Sequence, residues 1–408
     1  MSKYDEESLR LHKEYQGKIK IETKAELKTK HDLSVWYTPG VAEPCRRINK
    51  KTELVYDYTI KGNTIGIITD GSRVLGLGNI GPEASIPVME GKAALFVEYG
   101  KVDAFPLPIR SRTIEDFVAT VKACEPIFGG INLEDIQIPD CFEIEQKLIE
   151  QLDIPVFHDD QHGTAVVVLA GLLNALKLMG KKISDQKVVI SGAGAAGSAV
   201  AKLLVSAGVG DVVLFDREGV ICRGRIKYMM PYKYDLADIT NKENFHGTLD
   251  EGIKGANIFI GLACPGLVTG VDIKNMAKDP IVFALSNPDP DIEPEEAFAS
   301  GAKIVGTGRS DLGNQINNLL AFPGIMRGAL DTRARVINNE MKISASMSIA
   351  SMLSENEIRE DRIIIEPFAE GVAQKVAKAV AKAAFDTGVA RIGKTLEEVY
   401  QDIEKRFV

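Results

Sequence analysis

Two acidic pairs in the sequence stand where they can share one ion. Glu134-Asp135 follows the apolar run Pro126 to Ile131, and Asp159-Asp160 follows Ile154 to Phe157. Neighbouring residues on a regular strand point to opposite faces, so both members of a pair reach one ion only at a strand end or turn. Three carboxylates from these pairs, with water and a chelating substrate, suit a hard octahedral ion, Mg2+ or Mn2+. Taken alone, paired acids are mostly solvated turn residues, and their position at strand ends counts against that plainer reading. His158 and His162 flank the second pair at the spacing of a helical zinc site. Zinc is disfavoured, because Thr164 reads as the cap of the next helix, the histidines then fall in a loop, and no general-base Glu separates them.

A second constellation is the turn Gly192-Ala193-Gly194-Ala195-Ala196-Gly197. It sits between a strand at Lys187 to Ser191 and an apolar helix at Ser198 to Ala207, the context in which a glycine loop binds a dinucleotide. Gly192 allows the tight turn, Gly194 lets backbone approach a pyrophosphate, and Gly197 permits close helix packing. The helix N-terminus offers free N–H groups to the phosphates. Asp216 ends the next strand, where a carboxylate accepts the ribose hydroxyls and repels a 2′-phosphate, which favours NAD over NADP. Arg217 beside it is able to pair with that phosphate, so NADP stays open.

These groups need a scaffold, and the rest of the chain supplies one. Short β-rich runs such as Thr64 to Thr69 alternate with helical stretches at Glu90 to Tyr99 and Thr113 to Cys124, the pattern of an α/β fold. The expected architecture is an N-terminal α/β domain over residues 1–154, a Rossmann-like doubly wound dinucleotide-binding domain over 155–385, and a helical tail over 386–408. The strand at Ile154 to Phe157 should open the second domain. Met1 to Lys30 reads as a charged surface helix ending at Gly17 and a polar connector. Phe368, Val372, Val376 and Val380 read as one core-facing helical stripe that Gly388 caps.

With 408 residues, roughly three-quarters of the surface is buriable, enough for two cores. Forty-nine basic against 57 acidic residues give a net charge of −8 without long single-sign blocks, which argues against nucleic acid and membrane surfaces as partners. The longest apolar run, Ala165 to Leu173, is far short of the roughly 20 residues a bilayer needs. Five scattered cysteines without a CxxC pair read as free packing thiols in a reducing compartment. With no secretion signal in the first residues, the expected location is cytoplasmic.

Seven motifs, in one order from about Ser34 to Gly328, resemble the malic enzyme family in its short bacterial form. They are Tyr37-Thr-Pro-Gly-Val-Ala, the stretch Thr69 to Gly81 containing Arg73, Ile86-Pro through Gly91-Lys92, Asn132-Leu-Glu-Asp, Phe157 to Ala165, Ser286-Asn-Pro, and Asn317-Asn318 through Phe322-Pro-Gly. The resemblance implies oxidative decarboxylation of (S)-malate to pyruvate and CO2 with NAD(P) and a divalent metal, decarboxylation of oxaloacetate as well, and a homodimer. It implies Tyr37 as general acid, Lys92 as general base, Glu134, Asp135 and Asp160 as metal ligands, and Arg73, Asn287 and Asn318 as substrate contacts, Asn287 also touching the cofactor. Asp159 is expected to restrain Lys92. A lysine base must be neutral, so Lys92 is expected to have its pKa moved from about 10.4 toward about 7.5 by burial and a nearby cation. The competing readings are a malolactic-type decarboxylase that releases lactate and a non-catalytic NAD-sensing module. The longer N-terminal region of the eukaryotic forms is missing, so their effector sites do not carry over.

Overall fold

Most strands form in short β-branched or aromatic runs, and they assemble into two sheets. The computed structural model describes residues 4–74, 76–286 and 289–408, and Asn287 lies outside them. β1 (Thr64–Thr69), β2 (Asp103–Pro108), β3 (Gly130–Leu133) and β4 (Val156–His158) make a parallel sheet in the order β2-β1-β3-β4. β5 (Lys187–Ser191), β6 (Asp211–Asp216), β7 (Gly219–Val220), β8 (Ile258–Gly261), β9 (Ile281–Ala284) and β10 (Ile304–Thr307) make a second sheet, β10-β9-β8-β5-β6-β7. Only β7 runs antiparallel in it. Chain order reverses beside β5, whose neighbours are β6 and β8, and such a reversal opens a ligand crevice at the strand ends. The expected α/β class with a doubly wound second sheet is what the chain builds.

One strand changes sides. β4, expected to open the second domain, hydrogen-bonds to β3 and completes the first sheet. The helix after it also begins earlier than Thr164. It spans Asp159–Leu178 with His158 as its N-cap residue, so Asp159 and Asp160 lie in its first turn, where the helix dipole favours negative charge. His162 is therefore helical and His158 ends a strand, rather than both lying in a loop. This helix buries residues on all sides, as one held inside a core does, and packs against the helices Ala195–Ser206 and Asn339–Ala350.

The helix Phe322–Asp331 is buried throughout. A Cβ at Gly324 would stand 2.6 Å from the Val376 side chain, and one at Gly328 the same distance from the Ala377 carbonyl. The glycines thus let the helix Val372–Asp386 pack close. Val372, Val376 and Val380 face inward as expected, but Phe368 precedes the helix and is exposed, its ring 5.9 Å from that of Tyr99. Within the buried helix, Arg327 donates to Asp331 at 2.7 and 2.8 Å and to the Lys101 carbonyl at 3.2 Å, and it also bonds Asn63. That guanidinium ties the C-terminal helices to loops of the first sheet. It is tolerated in the core because Asp331 neutralises it.

The helices Asp5–Tyr15, Lys30–Trp36 and Ala42–Lys50 bury none of their residues, in keeping with a surface layer. The five cysteines are free, but only Cys141 and Cys222 are buried, while Cys45 and Cys264 are exposed and so are not packing residues. Among the described residues no helix is long and apolar enough to cross a membrane.

Candidate active site

The two acidic pairs meet. Glu134 and Asp135 follow β3, and Asp135 takes a positive φ of 53° that turns the chain back. Its backbone N–H donates to Oδ2 of Asp160 at 2.9 Å, and its carbonyl accepts the N–H of Arg73 at 3.0 Å. Lys92, on the helix Gly81–Gly100, places its ammonium 2.5 Å from Asp159 Oδ2 and 2.9 Å from Glu134 Oε1. The same ammonium lies 4.1 Å from the centre of the Phe322 ring. Asn132 donates to Glu134 at 2.8 Å, and Asn318 donates to Asp159.

Charge in this cluster is unbalanced. Burial and the repulsion of Asp160, Asp159 and Asp135 outweigh Lys92 and push Glu134 up to about 8. Burial and Asp160 raise Asp159 in the same way, against the pull of Lys92. Asp160 instead falls to about 2, because the bond from His158 at 3.1 Å overcomes its burial. The shift expected for Lys92 is reversed. Burial alone would lower its pKa, but Asp159 and Glu134 hold it above the ordinary lysine value, so Lys92 is an ammonium in this arrangement.

The donor set fits a hard divalent cation on two counts. It is all oxygen, and Glu134 and Asp159 share one ammonium while Asp160 is held by His158. Oδ1 of Asp159 is in addition buried without a hydrogen-bond partner among the described residues. As the side chains stand, no three acid, histidine or cysteine groups among the described residues are gathered in ligating geometry. Gly163, one turn along the helix, leaves the space that Asp159 fills: a Cβ there would lie 1.9 Å from Oδ1.

Behind the acids runs a polar chain that the motifs did not disclose. Glu145, on the helix Asp140–Gln151, accepts from Gln161 and bonds His162, each at 2.8 Å, and accepts the His158 backbone N–H at 3.3 Å. Lys342 reaches the other nitrogen of His162 at 3.0 Å, and Gln161 meets His158 Nδ1 at 2.8 Å. Both histidines are thus engaged within the protein. Nothing in the sequence near Glu145 or Lys342 marks them, since their partners lie far along the chain.

The glycine loop packs on the segment that follows Asp135. Gly192 has a φ of 104°, and a Cβ on Gly197 would lie 1.8 Å from the Gly192 carbonyl. Tyr232 donates to the Ala193 carbonyl at 3.0 Å and stacks on Phe142 of the first unit with ring centres 4.3 Å apart. A Cβ on Gly194 would lie 3.2 Å from Ile138, so the strand ends of the two sheets abut here. Ala195 and Ala196 open the helix after the loop. Asp216 lies at the end of β6 but is not free, being bonded by Arg225 and Lys233. Arg217 beside it is exposed. Arg73 is exposed on the loop after β1, and Tyr37 ends the helix Lys30–Trp36 with two-thirds of its surface exposed. The structure therefore brings together Lys92, Glu134, Asp135, Asp159, Asp160 and Asn318. Tyr37 is not joined to them.

Two family models match the chain: the N-terminal domain of malic enzymes over residues 16–113 and 108–149, and the malic enzyme NAD binding domain over 161–385. A bifunctional malic/malolactic enzyme of Bacillus subtilis is 54% identical over 98% of both chains. An NADP-dependent malic enzyme of Halomonas elongata is 44% identical over 94% of this chain and 96% of its own. The crystal structure of a malic enzyme from Pyrococcus horikoshii superposes with a TM-score of 0.94 at 48% identity, covering 98% of this chain and 95% of that one.

Glu145 generates a stability prediction. His162, His158 and Lys342 outweigh its burial and lower its pKa to about 2. A depressed carboxylate stabilises the fold above its unfolded pKa, and that contribution is lost as pH falls through the folded value. Glu145→Gln should therefore lower stability near neutral pH by about 3 kcal/mol. The gap to wild type in urea melts should close as pH falls from about 4.5 to about 2. A pH-independent gap contradicts this account of the network.

Proposed function

The chain belongs to the malic enzyme family, and from that premise we propose that the cluster around Lys92 is where it oxidises (S)-malate. The reaction yields pyruvate and CO2 with reduction of NAD(P), so the protein is an NAD(P)-dependent malic enzyme. The observation that carries the site assignment is the meeting of the two acidic pairs, Glu134 and Asp159 on one lysine and the Asp135 N–H on Asp160.

Glu134, Asp135 and Asp160 would hold Mg2+ or Mn2+, which when bound would acidify the substrate hydroxyl, orient it with the adjacent carboxylate and stabilise the enolate oxygen. Arg73 clamps a substrate carboxylate with its planar fork, and Asn318 and Asn287 offer amide donors. Lys92 would take the hydroxyl proton as a neutral amine, while the bound nicotinamide would accept the hydride from the carbon that bears that hydroxyl. That role requires Glu134 to be drawn away from the ammonium and the ammonium's own proton to pass first to Asp159, whose pKa is raised by burial. After CO2 departs, Tyr37, which stands apart from the cluster in the single chain, would return a proton to carbon once brought to it. Gly192, Gly194, Ala195, Ala196 and Gly197 would hold the cofactor's pyrophosphate, and Asp216 and Arg217 would meet its adenosine ribose. Because the carbon–carbon cleavage needs no nucleotide redox change, the same centre decarboxylates added oxaloacetate. The Bacillus subtilis relative's name favours a second reading in which the nucleotide stays bound and lactate leaves.

We also propose a cytoplasmic homodimer. The unpaired cysteines suit a reducing compartment. The N-terminal helices expose the apolar side chains of Leu9, Tyr15, Leu33 and Trp36, which a second copy would cover. Sedimentation equilibrium under assay conditions should read twice the mass of one chain, and a monomer contradicts the dimer.

With Mn2+ and malate, purified protein should reduce NAD and release pyruvate. Lys92→Ala should cut turnover by about a thousandfold while NAD still binds. Robust nucleotide binding with no turnover under either metal would leave a sensing module instead, and lactate as sole product would establish the second reading.

A further inference from the structure

Behind the acids, one carboxylate decides which way each hydrogen bond runs. Glu145 is buried and ionised, its pKa held at about 2 against that burial by His162, His158 and Lys342. An ionised carboxylate only accepts. Its Oε1 takes the bond from His162 Nε2 at 2.8 Å, while Lys342 meets Nδ1 of the same ring at 3.0 Å. At Oε2, also at 2.8 Å, Gln161 must therefore present its amide nitrogen and not its oxygen. The second N–H of that amide faces His158 Nδ1, again at 2.8 Å. Nδ1 is thereby the acceptor, so Nε2 carries the proton and donates to Asp160 Oδ2 at 3.1 Å. Against its burial, Asp160 strengthens the hold of His158 on a proton, and the amide keeps that proton on Nε2.

The relay ends on a carboxylate proposed to hold the metal. Oδ2 of Asp160 also accepts the Asp135 N–H at 2.9 Å, so two donors from different elements set the plane of the group. Oδ1 is the oxygen left for a cation. Glu145, Gln161 and His158 are each more than nine-tenths buried and each is bonded to the next, which makes the relay a built part of the core. A reversed relay, with the proton on Nδ1, would set the lone pair of Nε2 against those of Asp160. That carboxylate would then swing from its place, and the angle at which it meets a cation would be lost.

We propose that Glu145 is a positioning residue for the divalent cation, acting through Gln161 and His158 to fix Asp160. This rests on the metal site proposed above and deepens it. Groups bonded to a metal's ligands change its affinity by about tenfold to a hundredfold although they never touch the ion. Lys342 is different. It supports Glu145 from the far side, through His162, and stands outside the relay.

Manganese titration of the nucleotide-free protein, followed by electron paramagnetic resonance, separates these roles. Gln161→Met removes the middle link without changing charge, and it should weaken the manganese site by about tenfold to a hundredfold. Glu145→Gln should weaken it to a similar degree, and the double variant should bind no worse than the poorer single one, because the two are links of one chain. Lys342→Met should leave the site within about threefold of wild type, whatever it does to stability. NAD binding and thermal melts check that each variant is folded, and Gln161→Met carries the test should Glu145→Gln not fold. A folded Gln161→Met with wild-type manganese affinity overturns the proposal. So does a Lys342→Met that weakens the site as much as Gln161→Met, since general packing would then be the cause. A folded wild type that binds no manganese overturns the metal site itself, and this proposal with it.

Discussion

A surplus of buried negative charge governs this molecule. Glu134, Asp135, Asp159 and Asp160 are drawn within one another's fields, with Lys92 answering Glu134 and Asp159 and His158 answering Asp160. Like charges in a low-dielectric interior repel by several kcal/mol unless bonded or neutralised, so the fold has to hold each in place. It does so with neutral donors where it can: Asn132 on Glu134, Asn318 on Asp159 and the Asp135 N–H on Asp160. What remains uncompensated is a standing demand for a further cation, which explains why a carboxylate cluster that destabilises the chain is kept.

The architecture serves that arrangement. β3 and β4 run side by side, so the acids that follow them emerge at one edge of the first sheet. The helix Asp159–Leu178 then carries the chain into the core against the helix that follows the glycine loop. One rigid element thereby fixes both the acids at its start and the distance to the dinucleotide crevice. Glu145 sets its first turn from the side through Gln161, His162 and the His158 backbone. Gly163 keeps that turn free of a Cβ where Asp159 sits.

What the sequence disclosed and what it hid follow from range. The glycine turn, its flanking strand and helix, and Asp216 are legible because the signal is local and each glycine meets a steric need. The acidic pairs were visible as pairs, but the helix start at Asp159 was not, since Thr164 offered a conventional cap and Gly163 a conventional break. Phe368 continued the spacing of Val372 yet lies outside the helix, because periodicity cannot show where a helix begins. Glu145, Lys342, Arg225 and Lys233 carried no readable mark, since each owes its role to a partner brought in by tertiary packing. The same cause reversed the expectation for Lys92: burial and the contact with Asp159 were foreseeable, but Glu134 as a second carboxylate within ion-pairing distance was not.

The charge surplus is tested most directly by counting divalent ions. Manganese binding to the nucleotide-free protein, followed by electron paramagnetic resonance, should show one site per chain. Glu134→Gln and Asp160→Asn should each weaken that site by about a hundredfold, with NAD binding intact. Stoichiometric binding that neither substitution alters, or no site in the wild type at all, would contradict the account.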